Sequence, residues 1–198
     1  MPKVESTPLV MTIGHSTHTL EEFIHLLRAN GVTCVVDVRT IPRSRHNPQF
    51  NTDSLPGSLE KAGLKYVHVI GLGGLRHAKS NSPNMGWRNA SFRGFADYMQ
   101  TPEFAQSLQE LIILANQEHI VLMCAEAVPW RCHRSLIADA LLVHGICTEH
   151  ILNGVKRLAH TLTPFAQVQG TIITYPIEAS GSTPKLASTT TRHEENAE

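Results

Sequence analysis

The densest chemistry in this chain lies in LMCAEAVPWRCHRSLIADALL, residues 122–142, where Cys124, Glu126, Arg131, Cys132, His133 and Arg134 fall within eleven residues. An apolar run ends at Cys124, and apolar residues at helical spacing resume from Cys132, so the segment reads as strand, loop, helix. The first N–H groups of a helix have no internal partner, and its dipole favours negative charge. An anion seated there would be held by backbone and by Arg131 or Arg134. A thiol in the same place would be drawn towards thiolate. The stretch therefore predicts an anion cradle, a thiolate nucleophile, or both. Cys124 is the candidate nucleophile and Glu126 a candidate acid or base.

More groups of the same kind follow other apolar runs. His15 and Ser16 come directly after one, and His15 is a second acid/base candidate. Asp37 closes another run; it would bond ribose hydroxyls, orient a histidine or pair with Arg39. Arg39, Arg43 and Arg45 suit bidentate capture of carboxylate or phosphate, as does Arg76 beside Gly73–Gly74. With Ser16, Cys132, His133, Arg131 and Arg134 they make up the expected ligand-binding set. Cys124, Cys132, His133 and His15 could also gather round one ion. The spacing is not C-x-x-C and there is no second pair, so no metal site is assigned. No motif identifies a cofactor.

These residues need elements that bring them together. PLVMTIG (8–14), VTCVVDV (32–38), LKYVHVI (64–70) and HIVLMCA (119–125) read as buried strands, CTEHIL (147–152) as a fifth, and GTIITYP (170–176) as one more. Thr19 with Glu22 forms a capping box for a helix that ends at Asn30–Gly31. Residues 55–62 form a short helix, Thr101–Pro102 opens another, and residues 132–144 form the last. A long Gly-, Asn- and Ser-rich loop runs from Gly71 to Ser91 and offers a lid around Trp87. Strands alternating with helices predict one α/β domain over residues 8–176: a mostly parallel sheet of about five strands with helices on both faces. In such sheets ligands bind beyond the carboxyl ends of the strands, which is where the groups above fall.

The 198 residues suffice for one full domain, and 41% hydrophobic content provides a core. The 17 basic and 17 acidic residues cancel, which disfavours a general polyanion binder. An anionic small molecule is the expected partner, with nucleic acid the lesser alternative through Arg39–Arg45. The opening MPKVESTPLV lacks a long apolar run, and no segment reaches bilayer length. A cytoplasmic protein with reduced thiols and no membrane partner is expected. Residues 177–198, small and polar, are expected to be a disordered tail. The sequence does not set the oligomeric state.

Two resemblances bear on this reading. The strand–Cys–loop–Arg–helix order resembles the loop of cysteine-dependent phosphatases and rhodaneses. Here, however, six residues separate Cys124 from Arg131 where the phosphatase loop has five, and Pro129 and Trp130 stand where small residues let backbone amides wrap a phosphate. The likeness is one of architecture. More specifically, TIGHSTHTLEEF, VVDVRTIPRSRHNPQFN, YVHVIGLGGLR, FRGFADYM and LMCAEAVPWRCHRSLIADAL together resemble the DUF488 family over residues 12–151. That resemblance implies a single α/β domain and supplies neither substrate nor catalytic residue. Three readings of function follow from the residues: a small hydrolase or transferase acting on a phosphate- or carboxylate-bearing ligand such as a nucleotide, a module that only binds such a ligand, and a metal-dependent enzyme using Cys and His ligands.

Overall fold

The computed structural model describes residues 8–177. Three β-branched, apolar runs fold as β1 (Leu9–Gly14), β2 (Cys34–Asp37) and β4 (Ile120–Cys124), with β2 and β4 buried along their whole length. β3 (Lys65–His68) is half exposed because it lies at the sheet edge. β5 (Cys147–Asn153) completes the expected set. The main sheet has the order β3-β2-β4-β1-β5-β6, with β1 to β5 parallel.

The helices form where capping chemistry allows. α1 (Leu20–Ala29) opens on the capping box: the Thr19 hydroxyl accepts from Glu22 N–H, and the Glu22 carboxylate accepts from Thr19 N–H at 2.7 Å. α2 spans Leu55–Lys61, and α3 spans Ala90–Tyr98 behind an Asn89 cap. α4 (Pro102–Ala115) starts with a proline, where no amide hydrogen is needed. α5 is Arg134–Val143.

Both sheet faces are covered. Met11, Ile13, Val35, Val121 and Met123 pack against Phe23, Leu27, Leu55 and Leu59 of α1 and α2. Val10, Val36, Ile120 and Leu122 pack against Phe95, Leu108, Leu111, Leu136 and Ile137 of α3, α4 and α5. Each such side chain contributes roughly 1.5–3 kcal/mol on burial.

Besides α3, which the sequence reading did not assign, three details differ from it. The sixth strand of the sheet is β6 (Lys156–Ala159), antiparallel to β5 and unexpected. The 170–176 segment instead supplies β8 (Ile172–Thr174), which pairs with β7 (Gln167–Gln169) in a separate ribbon. The 71–91 loop, expected as a lid, is fastened down. Asp97 accepts from Lys79 N–H (2.8 Å), Ser82 Oγ–H (2.5 Å) and Asn84 Nδ2–H (2.8 Å), and Asn84 Oδ1 accepts from Tyr175 N–H. Trp87 packs among Phe92, Phe165 and Tyr175 with centroids 4.7–5.5 Å apart. The expected tail lies outside the described residues, Ile177 apart. Among the described residues no helix is long and apolar enough to cross a membrane.

Candidate functional site

Parallel register sets the site. Gly14 lies beside Cys124, and Asp37 beside Met123 and His68, so the ends of β1 to β4 share one edge. Beyond that edge a cavity of about 680 Å³ opens. His15, Ser16, Arg39, Cys124, Glu126, Arg131, Cys132 and His133 line it, with Arg43 at one side. Asp37 and Arg134 are buried behind its wall. Arg45 is exposed and outside it. Arg76 is also outside, stacked 3.6 Å over the Tyr98 ring with Nε–H donated to Gly73 O. A larger, shallower groove of about 1220 Å³ runs along the solvent side of α1 and contains no buried titratable cluster.

His15 and Arg39 form a rigid floor. Arg39 donates from Nε and Nη2 to the two oxygens of Asp37 (2.9 and 2.6 Å), from Nη2 to Phe50 O (2.7 Å) and from Nη1 to His15 Nε2 (3.2 Å). Four of the five guanidinium hydrogens are thereby used. Asp37 also accepts from the Tyr66 hydroxyl at 2.9 Å. Because His15 Nε2 accepts, Nδ1 carries the proton and donates it to Ser16 O at 3.0 Å. The ring stacks on Phe50 at 4.3 Å. Burial, then the adjacent Arg39 charge, pushes the His15 pKa down to about 4, so the ring is neutral at pH 7. Ser16 takes a positive φ of 46°, an uncommon conformation that turns the chain sharply past the cavity.

The thiols sit on the opposite wall. The helix expected to open at Cys132 begins at Arg134. Cys132 precedes it, after a 3-10 turn at Pro129–Arg131. Two N–H groups in the first turn of α5 are taken, Ser135 N–H by Cys132 O and Leu136 N–H by His133 O. The expected backbone cradle is therefore narrower than the sequence suggested. Cys132 Sγ accepts from Arg134 Nε–H at 3.3 Å and lies 3.7 Å from His133 Nδ1. His133 Nε2 faces Val38 O (3.0 Å) and Leu72 O (3.1 Å), so Nε2 holds the hydrogen and Nδ1 faces the sulfur. Cys124 Sγ, Cys132 Sγ and a His133 nitrogen all lie within 4.8 Å of one another, the one such grouping among the described residues compact enough to hold a soft cation.

The two thiols are pushed in opposite directions. Hydrogen bonding from Cys124, then the interaction with His133 and the Arg134 charge, pulls the Cys132 thiol well below its ordinary range. The same hydrogen bond, together with burial, pushes Cys124 well above it. The guanidinium and the imidazole both approach Cys132 Sγ.

Arg134 is 1% exposed, yet among the described residues no carboxylate forms an ion pair with it. Its charge is answered through a chain of hydrogen bonds with a fixed direction. Arg134 Nη1–H points to Thr12 Oγ1 (3.4 Å), and Thr12 donates to His150 Nδ1 (2.8 Å). His150 Nε2 meets His160 Nδ1 (3.0 Å), and His160 Nε2 meets an oxygen of the fully buried Asp139 (2.8 Å). With one proton on each ring, every donor points from the guanidinium towards the carboxylate. Burial, then the neighbouring His160, pushes His150 down to about 4, consistent with a neutral link. The sequence reading gave Thr12, Asp139, His150 and His160 no role. Asp139 amid the apolar LIADALL of α5 is the one sequence signal that could have found them.

The comparisons with known proteins give a family and leave the chemistry open. The model of the family described as domain of unknown function DUF488 matches residues 19–141, more than half of the chain. No curated protein and no solved structure matches. The chain belongs to the DUF488 family.

Proposed function

We propose that the protein is a cysteine-dependent hydrolase or transferase acting on a small anionic ligand, with Cys132 as the nucleophile in place of Cys124. The carrying observation is the setting of Cys132 Sγ: Arg134 Nε–H at 3.3 Å, His133 Nδ1 at 3.7 Å and the Cys124 thiol alongside. The buried charges support it. Asp37 answers Arg39 directly, and Asp139 answers Arg134 through the chain. A proton passing from Cys132 to His133 Nδ1 then leaves a thiolate–imidazolium pair and no net charge behind.

In this reading the Cys132 sulfur attacks an acyl or phosphoryl centre and the bond to the leaving group breaks. His133 returns the proton to the leaving group. Glu126, exposed on the rim, assists the water or acceptor that then displaces the thiolate. Arg131 and Arg43 hold the anionic part of the ligand. His15, with both ring nitrogens engaged, orients Arg39.

The test is the pH dependence of alkylation at each cysteine of the native protein, read peptide by peptide. Cys132 is expected to react well below the free-thiol pKa of about 8.5, with Cys124 slower. Cys124 and Cys132 both inert until unfolding, or a stoichiometric metal in protein purified without chelator, overturns the reading.

A further inference from the structure

The thiolate mechanism needs one cysteine, and the cavity contains two. Cys124 ends β4 within the sheet, held in register with Gly14. Cys132 sits outside regular structure, between the 3-10 turn and α5. Their sulfurs lie within 4.8 Å, and both residues line the cavity, at 8% and 3% exposure. A disulfide needs S–S near 2.05 Å and Cβ–Cβ of about 3.5–4.5 Å. Cys132, outside helix and strand, is the partner whose side chain must rotate to close that gap. The other two cysteines are elsewhere: Cys34 is buried in β2 and Cys147 is exposed at the start of β5.

We infer that Cys132 and Cys124 form a redox pair that reduces small hydroperoxides and closes to a disulfide, Cys132 being the attacked-first and Cys124 the resolving sulfur. The inference rests on the proposed Cys132 thiolate. The Cys132 sulfur attacks the terminal oxygen of ROOH. An S–O bond forms, the O–O bond breaks, and RO⁻ leaves as ROH with the proton from His133 Nδ1. Sulfur has lost two electrons and is a sulfenic acid. The Cys124 sulfur then attacks the Cys132 sulfur. The S–S bond forms, the S–O bond breaks, and the departing hydroxide takes the Cys124 proton as water. Two equivalents of a low-molecular-weight thiol restore the pair and leave as their own disulfide. While the disulfide stands, the thiolate of the proposed transfer reaction is absent. The arrangement makes the cavity both a hydroperoxide site and a site that oxidation closes.

The experiment treats the full chain with hydrogen peroxide at pH 7, blocks free thiols and maps the peptides by mass. The expected product is one linked Cys124–Cys132 peptide pair, two thiols lost, and recovery on adding dithiothreitol. In Cys124→Ser, oxidation should stop at a sulfenic acid on Cys132 that dimedone captures. In Cys132→Ser, the Cys124 thiol should be lost roughly tenfold or more slowly, as an unactivated thiol would be. Wild-type Cys132 that runs on to sulfinic acid while Cys124 stays reduced overturns the pair. So does a disulfide through Cys147. The alkylation profile separates the two proposals: early Cys132 alkylation without a disulfide leaves the thiolate reading standing and removes the pair, whereas inertness to both reagents removes both.

Discussion

Replacing Arg134 with methionine tests the proposed site most directly. The substitution keeps an apolar stem of similar length in a residue that is 1% exposed, and it removes the donor 3.3 Å from Cys132 Sγ. Two full charges at that separation interact by about 5 kcal/mol at an effective dielectric of 20, which is a ceiling. Part of it is cancelled, because the chain to Asp139 already draws on the guanidinium. A hydrogen bond to a charged group contributes about 1.5–3 kcal/mol net, and about 1.4 kcal/mol is a factor of ten. Cys132 in the variant should therefore react with iodoacetamide at pH 6 about ten- to a hundredfold more slowly than in wild type. The exposed Cys147 is an internal control and should react at its unaltered rate. Arg134→Met also frees Glu126 O, which Arg134 Nη2 contacts at 2.5 Å, so folding must be verified by circular dichroism and urea midpoint. A folded variant in which Cys132 keeps its wild-type rate at pH 6 would refute Arg134 as the counter-charge and, with it, the charge balance of the site.

Three more predictions follow from specific contacts. A Cβ at Gly74 would come within 2.5–2.9 Å of the His133 ring, so Gly74→Ala should displace that ring from Val38 O and Leu72 O, lower the urea midpoint and, in the folded protein, slow Cys132 alkylation several-fold. Asp37→Asn breaks a buried, doubly bonded pair and strands the Arg39 charge; a loss of about 3–5 kcal/mol is expected in urea unfolding, and a loss under 1 kcal/mol would count against the rigid floor. His15 faces Arg39, Asp37 and Arg134, and His150 faces His160, Arg134 and Asp139; both are held near pKa 4 against an ordinary 6.5. The unfolded chain therefore binds more protons between those values, so stability should be level above pH 6.5 and fall as pH drops from 6.5 to 4, and a urea midpoint that rises over that interval would contradict both assignments.

The fold was legible where local chemistry and burial agree. Thr19 and Glu22 make a capping box by their own spacing, and the β-branched runs at 34–37 and 120–124 are apolar on both faces because both faces are covered. β6 was illegible for the opposite reason. All four of its residues are exposed, and its place is set by pairing with β5, which no alternation in KRLA records. α3 was hidden by Gly94, a residue that weakens helices. The structure explains why it stands there: a Cβ at Gly94 would collide with the backbone of Arg76 and Ala78, where the fastened loop crosses α3. Local propensity loses there to a tertiary contact.

The same division runs through the site. Parallel strands in register deliver their carboxyl-end residues to one place, so His15, Arg39 and Cys124 could be grouped from sequence. Which thiol carries charge could not, because it depends on Arg134, and Arg134 depends on residues from β1, β5, α5 and the stretch after β6. The direction of the hydrogen bonds is the deciding property. A neutral histidine donates from one nitrogen only, so two in series between Thr12 and Asp139 can satisfy a guanidinium at one end and a carboxylate at the other in a single order. Protonating His150 would put two donors against Thr12 and His160 and turn the Thr12 hydroxyl away. Thr12 Oγ1 would then accept from an imidazolium as well as from Arg134, adding a second positive charge beside a guanidinium that Glu126 O still holds in place. A neutral His150, kept so by burial and the neighbouring His160, therefore lets the chain link Arg134 to the Asp139 carboxylate through a residue 138 positions from Thr12.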